Sequence, residues 1–307
     1  MLSLKKPMTY SEQIDHLIKD HALVIADAAK AEDILRSVNY YRLSAYGIGL
    51  TPPNDKDHYL PGVSIEQLYH LYQFDVQLRA ILIPAIEHLE VKLRAQISYL
   101  LAIKYGSEGY RNPTNFKGRT TRYGVNIHTH TMELLDKEII RQKALPFVKH
   151  HKEKYDGHFP IWVATELFTF GMLSSLYSIM RDDDRKEIAA EYQLKSANYL
   201  SSWILCLVEL RNMCAHYTRL YNMPFAQAPY LFKENREYQC NKLFPAVLVI
   251  KRMLGVDNPV WNTCFLNLQK LVSETGDLQP SFMGFPDDWV AVLATDYRQK
   301  STGKPKA

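Results

Sequence analysis

The run from Asn198 to Asn222, NYLSSWILCLVELRNMCAHYTRLYN, contains neither Pro nor Gly in 25 residues. It predicts one long helix, with Asn198 as N-cap and Pro224 closing the far end. Trp203, Leu207, Leu210 and Cys214 fall at i, i+4, i+7 and i+11 and make an apolar stripe. Glu209, Asn212, His216 and Arg219 fall at i, i+3, i+7 and i+10 and make a polar stripe, with Arg211 beside it. That stripe has no Lys, and its mix of Arg, Asn, Glu and His suits holding a phosphate and moving a proton. Arg offers a planar fork of donors that stays charged, and His serves as acid or base near neutrality. Asn212, four residues before His216, is placed to orient the imidazole. A solvated helix face and a buried polar network between helices are the other readings of the same stripe.

The rest of the chain favours helices. Of 307 residues, 47% are hydrophobic and only 13 are Gly, which gives a sizeable core and argues against a loop-rich or all-β chain. The net charge of +4 permits a nucleic-acid partner without demanding one. Cys206, Cys214, Cys240 and Cys264 form no C-x-x-C pair and read as reduced, mostly buried thiols. No N-terminal apolar leader and no apolar run of membrane-spanning length is visible, so a cytoplasmic protein without a membrane partner is expected.

Taken in order, Thr9 or Ser11 caps a helix over about 12–20, and a second helix covers 26–38. In NYYRLSAYGIGL (39–50), Tyr40, Tyr41, Arg42 and Tyr46 either stack on and grip RNA or pack internally around a structural ion pair. Residues 51–63 are a loop. Ser64, with Gln67, caps a helix from Ile65 to about Tyr105, which Pro84 kinks or divides. After Pro84, Ile86, Leu89, Leu93 and Ile97 share an apolar face. Glu87, Glu90 and Arg94 share a polar one, either orienting Arg211 or His216 from behind or forming an ordinary intrahelical pair. Residues 101–160 carry 11 Lys and Arg against 6 Asp and Glu, and five of the eleven His. Their loop-like first half, with Lys117, Arg119 and Arg122, is either an arm that tracks an RNA backbone or a solvated insertion. His128, His130, His150 and His151 have no Cys or carboxylate at a useful spacing, so no metal is expected and their role stays unassigned. A helix opens at Pro160 and continues past a weak point at Gly171; others follow at 185–192, 240–254 and 260–273. RQKSTGKPKA reads as a disordered basic tail.

Arg211-Asn-Met-Cys-Ala-His216 resembles the R-x4-H signature of HEPN-type ribonucleases. The longer string RNMCAHYTRLYN resembles the Abi-like (AbiD/AbiF-type) family of bacterial abortive-infection proteins. NYYRLSAY, AIEHLEVKLR, PIWVATELFTFGMLSSLY and MGFPDDW are similar to further segments of that family, so the likeness runs from about residue 39 to 289. One departure is Met223, where family members often carry Arg; any phosphate contact carried over for that position is in doubt.

The resemblance implies an all-α, HEPN-like helical bundle with additional N- and C-terminal helices and a basic insertion. Its parts are an N-terminal helical segment (1–63), a core (64–225) with the insertion at about 106–160, and a C-terminal helical segment and tail (226–307), in one compact unit. It implies metal- and cofactor-independent RNA cleavage in antiphage defence, with the RNA 2′-hydroxyl as nucleophile and a cyclic phosphate product. His216 is then the acid or base, Arg211 stabilises the phosphorane, and Asn212 orients the pair. Glu87, Glu90, Arg94, Glu209 and Arg219 support them. A homodimer and a small restraining RNA are the implied partners. A non-catalytic RNA-binding module and a helical protein–protein interaction protein are the alternatives. Under the last, His216 is buried with all its partners satisfied.

Overall fold

The computed structural model describes residues 6–276 and 278–295. As expected, the fold is all-α: the described residues contain only isolated β-bridges besides helices and turns. The helices are α1 (Tyr10–Lys19), α2 (Ala28–Ser37), α3 (Tyr40–Ser44), α4 (Ile65–Tyr105), α5 (Ile127–Arg141), α6 (Pro146–Lys154) and α7 (Ile161–Ala164). They continue with α8 (Phe170–Ile179), α9 (Asp182–Ala190), α10 (Ala197–Ala215), α11 (Leu243–Leu254), α12 (Pro259–Glu274) and α13 (Trp289–Ala294). The basic tail at 298–307 lies outside the described residues. No helix among them is long and apolar enough to cross a membrane.

The 41-residue helix α4 is the axis of the molecule. Ser64 caps it, its hydroxyl accepting from the Gln67 N–H. Pro84 sits inside it without dividing it. Its ring leaves the Ala80 carbonyl without a helical donor, a cost that is small because Ala80 and Pro84 are both exposed to solvent. The expected apolar face of Ile86, Leu89, Leu93 and Ile97 is fully buried. Each such side chain contributes about 1.5–3 kcal/mol relative to exposure. Helices α10, α11 and α12 pack against α4, and α10 also packs on α8 and α9.

A second, smaller apolar cluster joins Ile14, Leu17, Ile34 and Leu35 of α1 and α2 to Ile65 and Leu68 at the start of α4. Thr9 caps α1 in a reciprocal box with Glu12. The stretch read as an insertion contributes Tyr110, Phe116, Leu135, Val148 and Phe159 to the main core. The weak point expected at Gly171 lies earlier: the chain leaves helical geometry at Phe168 and restarts at α8, with Thr169 as its N-cap. The Cys thiols are free; Cys206, Cys214 and Cys264 are buried and Cys240 half-buried. Burial pushes Cys214 and Cys264 up to about 12.

Candidate functional site

Helix α10 buries Trp203, Leu207, Leu210 and Cys214, as the stripe requires. It is shorter than the sequence suggests. Ser196, not Asn198, is its N-cap, and it ends at Ala215 with His216 as C-cap. Tyr217 follows at φ +58°, its N–H donating to the Cys214 carbonyl at 3.3 Å. The Thr218 N–H donates to the Met213 carbonyl at 2.8 Å. This is a Schellman ending with Tyr in the left-handed position that Gly usually fills. Arg219 therefore lies outside the helix, and the four-residue polar stripe does not exist as one face.

Arg211 is braced from two sides. Its Nε donates to Glu90 Oε2 at 3.4 Å, and its Nη1 donates to Asn212 Oδ1 at 3.1 Å. Glu90, almost fully buried, also accepts from Arg94 Nη2 at 2.8 Å. Arg94 in turn donates through Nη1 to the carbonyls of Phe168, at 3.0 Å, and Thr165. The chain's break between α7 and α8 thus supplies the carbonyls that hold Arg94, which holds Glu90, which holds Arg211. The Arg211 side chain remains 31% exposed. Asn212 and His216 are exposed, and the His216 imidazole has no hydrogen bond, ion pair or ring contact among the described residues. Asn212 therefore holds the guanidinium and not, as expected, the imidazole.

The turn after His216 is clamped by Asp75 and Arg79, which the sequence reading missed, together with Tyr46 and Arg42. Asp75, wholly buried on α4, accepts from Leu220 N at 3.0 Å, Tyr221 N at 2.8 Å and the Tyr46 hydroxyl at 2.9 Å. It also pairs with Arg79, whose Nη1 donates to the Thr218 carbonyl at 3.3 Å. Arg42 on α3 donates to the Tyr217 carbonyl at 2.6 Å. The signal was an Asp and an Arg four apart inside the apolar run Leu71, Phe74, Leu78, Leu82, where charges persist only when paired.

Other expected site residues stand elsewhere. Glu87 is exposed and makes no contact with Arg211 or His216. Glu209 accepts from the Ala226 and Gln227 N–H groups at 2.8 and 2.7 Å, which ties down the loop after Pro224. Arg219 is half-buried, with Nη1 unpartnered and Nη2 3.8 Å from Met223 Sδ; burial lowers its pKa. Tyr46 is buried on Asp75, Tyr40 is half-buried 3.4 Å from His21 Nε2, and Tyr41 projects into solvent. Arg42 spends its guanidinium on the Tyr217 turn. Lys117 pairs with Asp182, Arg119 donates to the Ser178 carbonyl at 3.3 Å, and Arg122 lies over the Tyr123 ring. His128 is buried, its Nε2–H donating to the Tyr110 carbonyl at 2.8 Å. His130 is exposed 4.0 Å from Glu133. Among the described residues, no group of three or more His, Cys, Asp or Glu is arranged to hold a metal ion.

Fold and site together define an all-helical protein in which an Arg-x4-His helix end is set against a buried carboxylate. The family model described as Abi-like protein matches residues 33–222, more than half of the chain. The chain belongs to this Abi-like family. The match takes in every element of the brace and the clamp and ends at Asn222, so the likeness noted at MGFPDDW falls beyond it. The chain matches no curated protein and no solved structure.

Proposed function

We propose that this protein is a metal-independent endoribonuclease of the HEPN type that acts as an effector in abortive-infection defence. The observation that carries the reading is the pairing of a braced, part-exposed Arg211 with an open His216 at the end of one helix. A guanidinium held by Glu90 and Asn212 still presents donors to solvent, which suits a phosphorane whose charge grows in the transition state. An imidazole with no protein partner is free to take a proton from a ribose 2′-hydroxyl or to give one to the leaving 5′-oxygen. Attack by that 2′-oxygen on the adjacent phosphorus breaks the P–O5′ bond and leaves a 2′,3′-cyclic phosphate. Membership of the Abi-like family supports the defence role. The exposure of His216 weighs against the reading in which it is one partner in a satisfied buried network.

The same reading has two copies meet through the exposed side of α10, so that two Arg211–His216 pairs face one RNA. Its test is RNA cleavage in EDTA by wild-type protein, stripped of copurifying nucleic acid, beside Arg211→Ala and His216→Ala. A cyclic-phosphate product lost in both variants supports it. An inert wild type that binds RNA as tightly as the variants do returns the chain to the class of binding modules.

A further inference from the structure

The four Trp residues differ sharply in environment. Trp203 and Trp261 are 1% exposed and Trp289 is 7%, whereas Trp162 on α7 is 54% exposed. Its indole makes no ring contact and no hydrogen bond with any described residue. A single exposed aromatic is ordinary by itself; what sets Trp162 apart is the cleft beside it.

Trp162 borders a cleft of about 440 Å³ lined also by Ser107, Glu108, His150, His151, Tyr155 and His158. That volume is in the range of small-ligand sites. The cleft is firmly built. After α6, Asp156 and Gly157 both take positive φ and fold the chain back. The Ile161 N–H then donates to the Ser107 carbonyl at 2.8 Å, and buried Tyr110 donates to the Phe159 carbonyl at 2.8 Å. His151 stacks on Tyr155 at 4.9 Å between ring centres, and its Nδ1–H donates to the His158 carbonyl at 3.0 Å. That bond fixes the tautomer, so in the neutral ring Nε2 is left as an acceptor. Lys149, Lys152 and Lys154 are interleaved with His150 and His151 on helix α6 and stand outside the cleft lining itself. Lys149 lies 3.7 Å from Glu153, and Lys152 and Lys154 have no ion pair among the described residues.

We infer that this cleft binds an unpaired nucleobase of single-stranded RNA, with Trp162 as the stacking face and Lys152 and Lys154 as phosphate contacts. Ring faces interleaved with cations are what sequence-tolerant single-strand binding requires. Along a duplex only the terminal pairs offer a base face to such a platform. The placement also joins the cleft to the proposed reaction site. Trp162 lies three residues before Thr165, whose carbonyl accepts from Arg94 in the chain of contacts that reaches Arg211. None of Glu90, Arg211 and His216 lines the cleft, so it is a second contact for the strand and not part of the reacting centre. The inference deepens the ribonuclease reading, but binding does not require cleavage.

The test is titration of full-length protein with a single-stranded 2′-O-methyl oligonucleotide, which lacks the nucleophile, while indole emission is followed. With only one open indole, quenching reports on Trp162. We expect quenching that is absent in Trp162→Phe, and affinity about 10-fold weaker or worse in Trp162→Ala. Lys152→Glu with Lys154→Glu weakens binding while thermal unfolding is unchanged. Quenching by a non-cleaving wild type upholds the cleft and sinks the ribonuclease reading. Binding without quenching, undiminished in Trp162→Ala, overturns the cleft whatever the cleavage assay shows. Equal quenching per nucleotide by a long duplex RNA, in which terminal pairs are few, overturns it too.

Discussion

At the scale of single residues, the exposed and the buried members of the site behave differently on substitution. The His216 imidazole is exposed, with no hydrogen bond, ion pair or ring contact among the described residues, so His216→Ala should leave thermal stability within about 0.5 kcal/mol while lowering RNA cleavage by at least about 100-fold. Calorimetry beside the cleavage assay separates the two effects. Asp75 is the opposite case. Asp75→Ala strands the Arg79 guanidinium in the core and should cost about 3–5 kcal/mol, read as a lowered denaturation midpoint. The thiols supply a pH test. A thiol raised to about 12 is protonated at pH 8, so Cys214 and Cys264 hold almost no reactive thiolate there. Iodoacetamide at pH 8 should modify Cys240 in the native protein and the three buried thiols only after unfolding, with peptide mass mapping as the readout.

At the scale of elements, periodicity was the legible part. Trp203, Leu207, Leu210 and Cys214 on α10, and Ile86, Leu89, Leu93 and Ile97 on α4, all lie in the core because a 3.6-residue repeat states which face is buried. Helix ends were less legible. Nothing local in AHYTRLYN announces a stop, since Tyr217 stands where a Gly would have signalled one. The stop is imposed from α4 by Asp75 and Arg79, and from α3 by Arg42. For the same reason Arg219 does not share the helical face that its spacing predicts; Glu209 does lie on α10, but its carboxylate is taken up by the Ala226 and Gln227 N–H groups. Glu90 and Arg94 were legible as an i, i+4 pair, but their link to Arg211 depends on how two helices pack. A direct prediction concerns the turn. Tyr217 is exposed and left-handed, so Tyr217→Gly should raise stability by up to about 1 kcal/mol, whereas Tyr217→Val should lower it. Thermal unfolding of both variants measures the sign.

At the scale of the whole molecule, the proposed two-fold assembly predicts interference between copies. Adding excess His216→Ala protein to wild type should lower cleavage below the value set by wild-type concentration alone, and sedimentation should show exchange into mixed dimers. Independent active monomers would give additive rates. Assembly also has an order. Leu220 and Asp75 lie 145 positions apart in the chain, so the frame around His216 closes only after that entire length has left the ribosome. A translation product cut short before α10 keeps the Asp75, Arg79, Glu90 and Arg94 charges on α4 but lacks the backbone and Arg211 that meet them. In such a fragment the Asp75 and Glu90 carboxylates lack partners that their burial requires. The frame around His216 is therefore all or nothing: no portion of the chain that stops before α10 contains both halves of it.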